Sequence, residues 1–154
     1  NTESRGVLCS HCSEQLPVSL SITRQVHPLR QCWSLGPYDG VLGSLVRTAK
    51  YDRSVKAADY VGRMLGERLF EVVDVEAVVP VPTTWMRRMI RGFDQAERIA
   101  KGVSLVIGAE YRNPLTRHGF SRQVGKTAVE RRELKSESFS FEGHWSTTNR
   151  AYVK

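Results

Sequence analysis

The stretch VVPVPTTWMRRMIRGFDQ, from Val78 to Gln95, decides how the rest of the chain is interpreted. It opens within a short apolar run, Ala77 to Val81, which contains Pro80 and is followed by Pro82. A buried parallel strand has a continuous apolar sequence and tolerates proline only at its end. The run therefore predicts a parallel strand whose chain leaves the sheet at the prolines.

A basic loop and then a helix are predicted after this strand. Arg87, Arg88 and Arg91 fall within five residues, and the apolar positions that follow recur at helical spacing, which predicts a helix over 93–107 ended by Gly108. Open α/β sheets bind ligands at the carboxyl ends of their strands, and a helix N-terminus attracts anions. The segment is therefore a candidate phosphate site. If only the charges are considered, the three arginines could equally form a solvated basic face instead of a phosphate site.

The order of residues in this stretch also resembles a known family. Val79-Pro80-Val81-Pro82 followed by Arg91-Gly92-Phe93-Asp94-Gln95 resembles the signature of the competence protein F (ComF) family, whose members look like type I phosphoribosyltransferases. The family usually has Asn where this chain has Asp94. Asn and Asp cap helices about equally well, but Asp94 adds a negative charge beside the proposed phosphate site. The resemblance covers most of the chain from Cys9 onward, through Tyr38-Asp39-Gly40, Lys50-Tyr51, Leu115-Thr116-Arg117, Gln123 and Arg131-Arg132.

The resemblance implies an α/β fold, with a type I phosphoribosyltransferase-like parallel sheet flanked by helices and a small cysteine-containing N-terminal appendage. It implies binding of phosphoribosyl pyrophosphate (PRPP) or pyrophosphate together with Mg²⁺, and a link to DNA uptake and competence. The substrate-binding residues it implies are Thr83, Thr84, Arg87, Arg88, Arg91, Gly92 and Gln95. It also implies a flexible loop that closes over the site and excludes water, carrying Arg117, Arg122, Gln123 and Lys126.

One motif of that fold is missing from the sequence. Type I phosphoribosyltransferases hold the ribose and the 5-phosphate with two acidic residues followed by a Thr-Thr-Gly loop, whose amides cradle the phosphate. Thr147-Thr148-Asn149 has neither the acidic residues nor the glycine. In the family the motif would follow almost directly after Lys154. The sequence is therefore expected to be a fragment that does not catalyse the transfer alone.

Length and charge narrow the classes of protein that fit. The chain has 154 residues, 40% of them hydrophobic and 25% charged, which suits one globular domain. No apolar run is long enough to span a membrane and the N-terminal residues do not resemble a signal peptide, so the cytoplasm is the expected location. The formal net charge of +7 suits a pyrophosphate-bearing metabolite and a nucleic acid backbone equally.

A second class of function therefore stays open. The chain could be a non-catalytic nucleic-acid-binding or adaptor protein on the same fold, with single-stranded DNA or proteins of the competence machinery as partners. Salt-dependent affinity for single-stranded DNA without PRPP binding would favour it. The sequence has no nucleophile elbow and no Walker-type loop that would indicate a different enzymatic activity. Gly125-Lys126-Thr127 lacks the upstream glycine that a Walker-type loop needs.

Three cysteines suggest a metal site near the N-terminus. Cys9 and Cys12 form a Cys-x-x-Cys pair, and Cys32 follows, which supplies three of the four ligands of a structural Zn²⁺ site. His11 or His27 could be the fourth. The family resemblance offers a second account, a zinc-ribbon-like region whose earlier ligands precede this sequence. Reduced thiols without metal are the alternative, since a disulfide is not expected in a reducing compartment.

The pattern of elements divides the chain at about residue 37. Residues 1–37 are interpreted as the zinc-ribbon-like remnant with a connector over 16–30 that has no sustained periodicity, and 38–154 as the phosphoribosyltransferase-like domain. Helices are predicted over 41–51 and 54–70, a strand over 110–116 and an edge strand at Phe139 and Phe141. The buried face of the second helix is predicted to be Val55, Ala58, Gly62, Leu65 and Leu69.

Overall fold

The computed structural model describes residues 7–16, 19–24, 31–118 and 139–142, which form a mixed α/β structure. The helices are α1 (Ser10–Glu14), α2 (Gly40–Tyr51), α3 (Val55–Leu69), α4 (Trp85–Arg91) and α5 (Gln95–Ile107). The strands are β1 (Ser21–Arg24), β2 (Gln31–Ser34), β3 (Ala77–Val78), β4 (Glu110–Tyr111), β5 (Leu115–Arg117) and β6 (Phe139–Phe141). None of the described helices has the length and apolar character needed to cross a membrane.

The described strands form three sheets of two strands each. β3 pairs with β4 in parallel, with Val78 opposite Tyr111, so the apolar run at 77–81 does begin as a parallel strand, although a shorter one than predicted. β1 and β2 pair antiparallel. The interpretation of 16–30 as a plain connector was therefore wrong for Ser21–Arg24, because strand pairing there depends on β2, which follows later in the chain.

The C-terminal strands correct one prediction and confirm another. The predicted strand over 110–116 is two strands, because β4 pairs with β3 while β5 pairs antiparallel with β6. Pro114 lies between them and has no N–H to continue a ladder; its carbonyl instead accepts the Glu142 N–H at 2.8 Å. The edge strand at Phe139 and Phe141 is confirmed as β6.

Helices α2 and α3 supply most of the buried core. Both run close to the predicted bounds, and the Ser54 hydroxyl caps α3 by accepting the Ala57 N–H at 3.2 Å. The buried apolar residues, joined by Leu16, are Leu42, Leu45 and Ala49 on α2 and Ala57, Ala58, Val61 and Met64 on α3. The predicted face of α3 was partly wrong, since Val55 is exposed and Leu65 and Leu69 are only half-buried. Small residues take their place in the core.

Those small residues let α3 and α5 approach closely. A Cβ built on Gly62 would lie 2.6 Å from the Ile99 carbonyl oxygen, and one on Gly102 would lie 3.0 Å from the carbonyl carbon of Gly62. Side chains at these positions would push the helices apart. Beside the crossing, the Arg98 Nε donates to the Asp59 carboxylate at 2.7 Å, which also ties α5 to α3.

Helix α5 confirms the predicted helix over 93–107. Asp94 caps its start, and Gly108 ends it at φ 74, the left-handed conformation that glycine adopts without strain. β4 then returns beside β3, so that β3, α4, α5 and β4 form one parallel crossover. The connection after β3 therefore starts at the carboxyl end of this small parallel sheet.

Candidate anion-binding site

The segment after β3 contains a short helix where a basic loop was predicted. α4 spans seven residues, Trp85–Arg91, starts after the extended Thr84 and ends at Gly92, which has φ 83. The prediction of a loop was wrong because Trp, Met, Ile and Arg all tolerate helical backbone, and Gly92 closes the turn. Thr84 itself is buried, with 6% of its surface exposed. The arginines therefore project from a defined helix.

The start of α5 is already occupied by a carboxylate of the chain. Asp94 is 6% exposed, and its Oδ1 accepts the Ala96 N–H at 2.9 Å and the Glu97 N–H at 3.4 Å. Its Oδ2 accepts the Thr83 N–H at 2.8 Å. The amides expected to attract phosphate at this helix start thus have an internal anion, so an external anion would meet the arginines of α4 first.

The three arginines of α4 have different surroundings. The Arg91 Nη1 donates to the Gln95 Oε1 at 2.6 Å, which ties the end of α4 to the first turn of α5. The Arg88 Nη2 lies 3.7 Å from the Glu97 Oε2, and Glu97 also pairs with Lys101 at 2.7 Å. Within the described ranges, neither Arg87 nor Arg91 forms an ion pair with a carboxylate.

Electrostatics place Arg87 and Arg91 near each other. Burial lowers the pKa of Arg91 most, and the neighbouring charge of Arg87 lowers it further. Tyr51 and Asp94 act in the opposite direction. Arginine stays protonated at neutral pH, so two guanidinium charges lie close together without an ion pair to any carboxylate that the structure describes. An anion placed between them would gain attraction from both.

Tyr111 lies beside this site and was not singled out from the sequence. It follows Glu110 in β4, and its hydroxyl is buried without a hydrogen-bond partner among the described residues. Burial raises the pKa of Tyr111, and the carboxylates of Glu97 and Asp94 raise it further. Tyr111 therefore lies within electrostatic reach of the first turn of α5. Its place beside the site follows from the parallel pairing of β4 with β3, which the sequence alone did not predict.

Of the four residues assigned to the flexible loop, the structure describes only Arg117. Arg117 ends β5, with its guanidinium carbon 5.5 Å from the centre of the Phe139 ring. Its Nε and Nη2 are buried without a hydrogen-bond partner in the part of the chain that the structure describes. Arg122, Gln123 and Lys126 lie outside the described residues. Since β5 pairs with β6, the small parallel sheet does not link Arg117 to α4.

The cysteines do not form a group of three. The Cys9 Sγ caps α1 by accepting the Cys12 N–H at 3.5 Å. Hydrogen bonds from the backbone and the thiol of Cys12 lower the pKa of Cys9, and the hydrogen bond to Cys9 raises that of Cys12. Cys32 is exposed on β2. Among the described residues no three His, Cys, Asp or Glu side chains are placed to hold a metal, and His27 lies outside them, so Zn²⁺ stays a prediction.

A groove elsewhere on the molecule does not include the arginines. It has a volume of about 550 Å³ and lies between the N-terminal segment and helices α2 and α3. Val7, Leu8 and Val41 give it an apolar wall, while Arg47 and Lys56 line its rim. The arginine site on α4 instead presents half-buried guanidinium groups, which suit a small polar anion better than an apolar ligand.

Comparisons with family models, with curated proteins and with solved structures give no match to this chain.

Proposed function

We propose that the chain is a ComF-like, phosphoribosyltransferase-class protein that binds PRPP or pyrophosphate through Arg87 and Arg91. The observation that supports this most is a pair of guanidinium groups that form no ion pair with a carboxylate among the described residues, located where a parallel strand leads into a helix. Open α/β sheets bind their ligands at this edge. The link to DNA uptake and competence is part of the proposal and rests on the sequence resemblance alone.

In this proposal the surrounding residues orient the two arginines. Gln95 holds one arm of Arg91 at 2.6 Å, which leaves its other nitrogens free to donate to a phosphate oxygen. Arginine binds phosphate in a bidentate geometry, and a rigid guanidinium loses little freedom on binding. Arg88 contributes less, because Glu97 already attracts it. Thr84 acts by shaping the connection, since it is buried.

Magnesium fits this arrangement as a companion of the ligand. Mg²⁺ commonly reaches a protein on the phosphate oxygens of the substrate and needs only one or two protein carboxylates. Bound in this way, it would neutralise part of the pyrophosphate charge. The chain's own contribution is to grip the remaining phosphate oxygens with Arg87 and Arg91. The larger parallel sheet of the phosphoribosyltransferase class, with β3 and β4 as two of its strands, belongs to the same proposal.

Calorimetric titration with pyrophosphate in Mg²⁺ buffer tests the site. Arg87→Ala and Arg91→Ala should each weaken binding by about 1 to 3 kcal/mol, roughly 5- to 150-fold, through loss of charged hydrogen bonds. Arg88→Ala should have a smaller effect. Arg68→Ala is the matched control, because it removes the same charge from the exposed end of α3.

Equal affinities for the Arg87, Arg91 and Arg68 variants would remove the site. The alternative class of function is tested in the same series by titrating single-stranded DNA at several salt concentrations. DNA affinity that falls steeply with salt, in a protein that does not bind pyrophosphate or PRPP, would favour the nucleic-acid-binding adaptor.

A further inference from the structure

Helix α4 exposes its apolar side chains to solvent. The exposed fractions are 68% for Trp85, 64% for Met89, 57% for Ile90 and 43% for Met86, and the nearby Val81 is 65% exposed. An exposed apolar patch of this kind usually marks an interaction surface. Trp85 alone exposes on the order of 150 Å² of side-chain surface.

The polarity of α4 is the reverse of an ordinary surface helix. At 3.6 residues per turn, Trp85, Met86, Met89 and Ile90 share one half of the helix, and the three arginines share the other. Arg87 and Arg91 are half-buried on the inner side. A surface helix normally turns its apolar side inward and its charges outward. The outward apolar half of α4 therefore lacks a partner in the described structure.

The charges around this face indicate an anionic partner. Residues 79–93 contain three arginines and no acidic residue. By helical position, Arg88 borders the apolar half on the side of Trp85, and Arg87 borders it on the side of Ile90. The Arg88 side chain is 58% exposed. Whatever covers the apolar half thus meets cations on both flanks.

A second copy of the chain fits this face poorly. Two copies of α4 placed face to face would bring two sets of three arginines together, on chains that each carry a formal charge of +7. Insertion of α4 into the apolar groove of another copy would meet Arg47 and Lys56 at its rim. Like charges at close range oppose both arrangements.

We propose that α4 docks on an anionic lipid surface, with Trp85, Met86, Met89 and Ile90 in the boundary between headgroups and acyl chains. Amphipathic helices with Trp on the apolar side and Arg on the polar side bind lipid interfaces in this way. The flanking arginines contact lipid phosphates.

A lipid surface explains the face better than single-stranded nucleic acid does. Nucleic acid needs aromatic platforms close to cations, so that bases stack while phosphates are neutralised. α4 has one aromatic side chain, and Met86, Met89 and Ile90 cannot stack on bases. Its arginines mostly lie on the half opposite Trp85. Flexible thioether and aliphatic chains insert readily among acyl chains.

Trp85 fluorescence with vesicles tests the proposal. In a Trp33→Phe, Trp145→Phe background, Trp85 is the only tryptophan. Vesicles that contain phosphatidylglycerol should shift its emission to the blue. Vesicles of pure phosphatidylcholine should bind at least about tenfold more weakly, because they offer the arginines no headgroup with a net negative charge. Co-sedimentation of the unmodified chain with the same vesicles provides a second measurement that does not depend on the background substitutions.

Substitutions on the face supply the matched comparison. Met89→Ser with Ile90→Ser should lower the vesicle affinity at least about tenfold, since the inserted apolar area is lost. Leu105→Ser is the control, because Leu105 is 79% exposed on α5, away from the face. The Met89, Ile90 double variant should bind pyrophosphate as before, which separates failure of this proposal from failure of the anion site.

Three results would overturn the lipid assignment. One is the absence of any emission shift and of co-sedimentation with anionic vesicles. Another is blue-shifted Trp85 emission in buffer alone together with a dimer in sedimentation, which would assign the face to a second copy. The last is an emission change with single-stranded DNA but not with vesicles.

Discussion

At the scale of single residues, Asp94 links the loop after β3 to the start of α5. Its carboxylate accepts N–H groups from both segments, and its burial shields these bonds from water. A buried donor that loses its acceptor costs about 1 to 3 kcal/mol. Asp94 therefore sets the position of Thr83 as well as capping the helix, and it does so next to Arg87 and Arg91.

Substitution of Asp94 should affect stability and anion binding in opposite directions. Asp94→Ala should lower the free energy of unfolding by about 1 to 3 kcal/mol, because it leaves N–H groups of two segments without an acceptor. Asp94→Asn should lower it less, since its single acceptor oxygen can still cap α5. Both changes should strengthen pyrophosphate binding, because they remove a negative charge near the arginines.

Urea denaturation and calorimetric titration measure the two effects. Glu67→Gln is a suitable control, since it also removes one carboxylate charge but lies on the exposed side of α3. An unfolding midpoint for Asp94→Ala equal to that of the unmodified chain would contradict the capping role. Unchanged or weaker pyrophosphate binding by Asp94→Asn would count against an anion site next to Asp94.

At the scale of elements, the crossing of α3 and α5 depends on glycine. The position at which a Cβ of Gly62 would lie is 2.6 Å from the Ile99 carbonyl oxygen and 2.9 Å from the Ile99 Cα. Both atoms belong to the backbone of α5, so they cannot rotate away as the end of a side chain could. The helices would have to move apart, which would open the contacts around Val103 and Ala58.

Gly62→Ala should therefore destabilise the protein although alanine is the better helix former. Alanine gains about 1 kcal/mol of helix propensity, while overpacking typically costs about 1 to 3 kcal/mol. We expect a net loss in the free energy of unfolding by urea. Glu67→Ala, on the exposed side of the same helix, should change it by less than about 0.5 kcal/mol. A Gly62→Ala protein more stable than the unmodified chain would show that the two helices are not in close contact.

At the scale of the whole molecule, the described core is helical and the sheets are small. The buried apolar residues lie on α2, α3 and α5 and at Leu16, whereas each described sheet has only two strands. Two-stranded sheets are marginally stable by themselves and depend on packing against other elements. Local stability should therefore differ strongly between these parts.

Amide hydrogen exchange should show this difference directly. Amides in α3 and α5 should exchange most slowly, because their hydrogen bonds surround the buried residues at the crossing. Amides in α4 should exchange much faster, since α4 has seven residues and an exposed apolar side. Mass spectrometry of peptides covering 55–69, 85–91 and 95–107 makes the comparison. Slow exchange of α4 in buffer alone would mean that its outer face is already covered.

The sequence by itself determined the features that depend on neighbouring residues. Periodic apolar positions and the stop at Gly108 were sufficient to predict α2, α3 and α5, because helical hydrogen bonds and caps span only a few residues. The parallel strand and the arginine cluster could also be predicted from neighbouring residues. These signals are local, so no knowledge of the rest of the fold was needed.

Only the tertiary structure decided the features that depend on distant partners. Which residues of α3 are buried follows from the approach of α5, and the pairing of β1 follows from β2. α4 is too short for its periodicity to distinguish helix from loop, and the solvent exposure of its apolar residues depends on the rest of the fold. The second contact of the capping Asp94, with the Thr83 N–H, could not be predicted either. In each case the deciding contact joins residues far apart in the chain or depends on solvent exposure, which sequence periodicity does not contain.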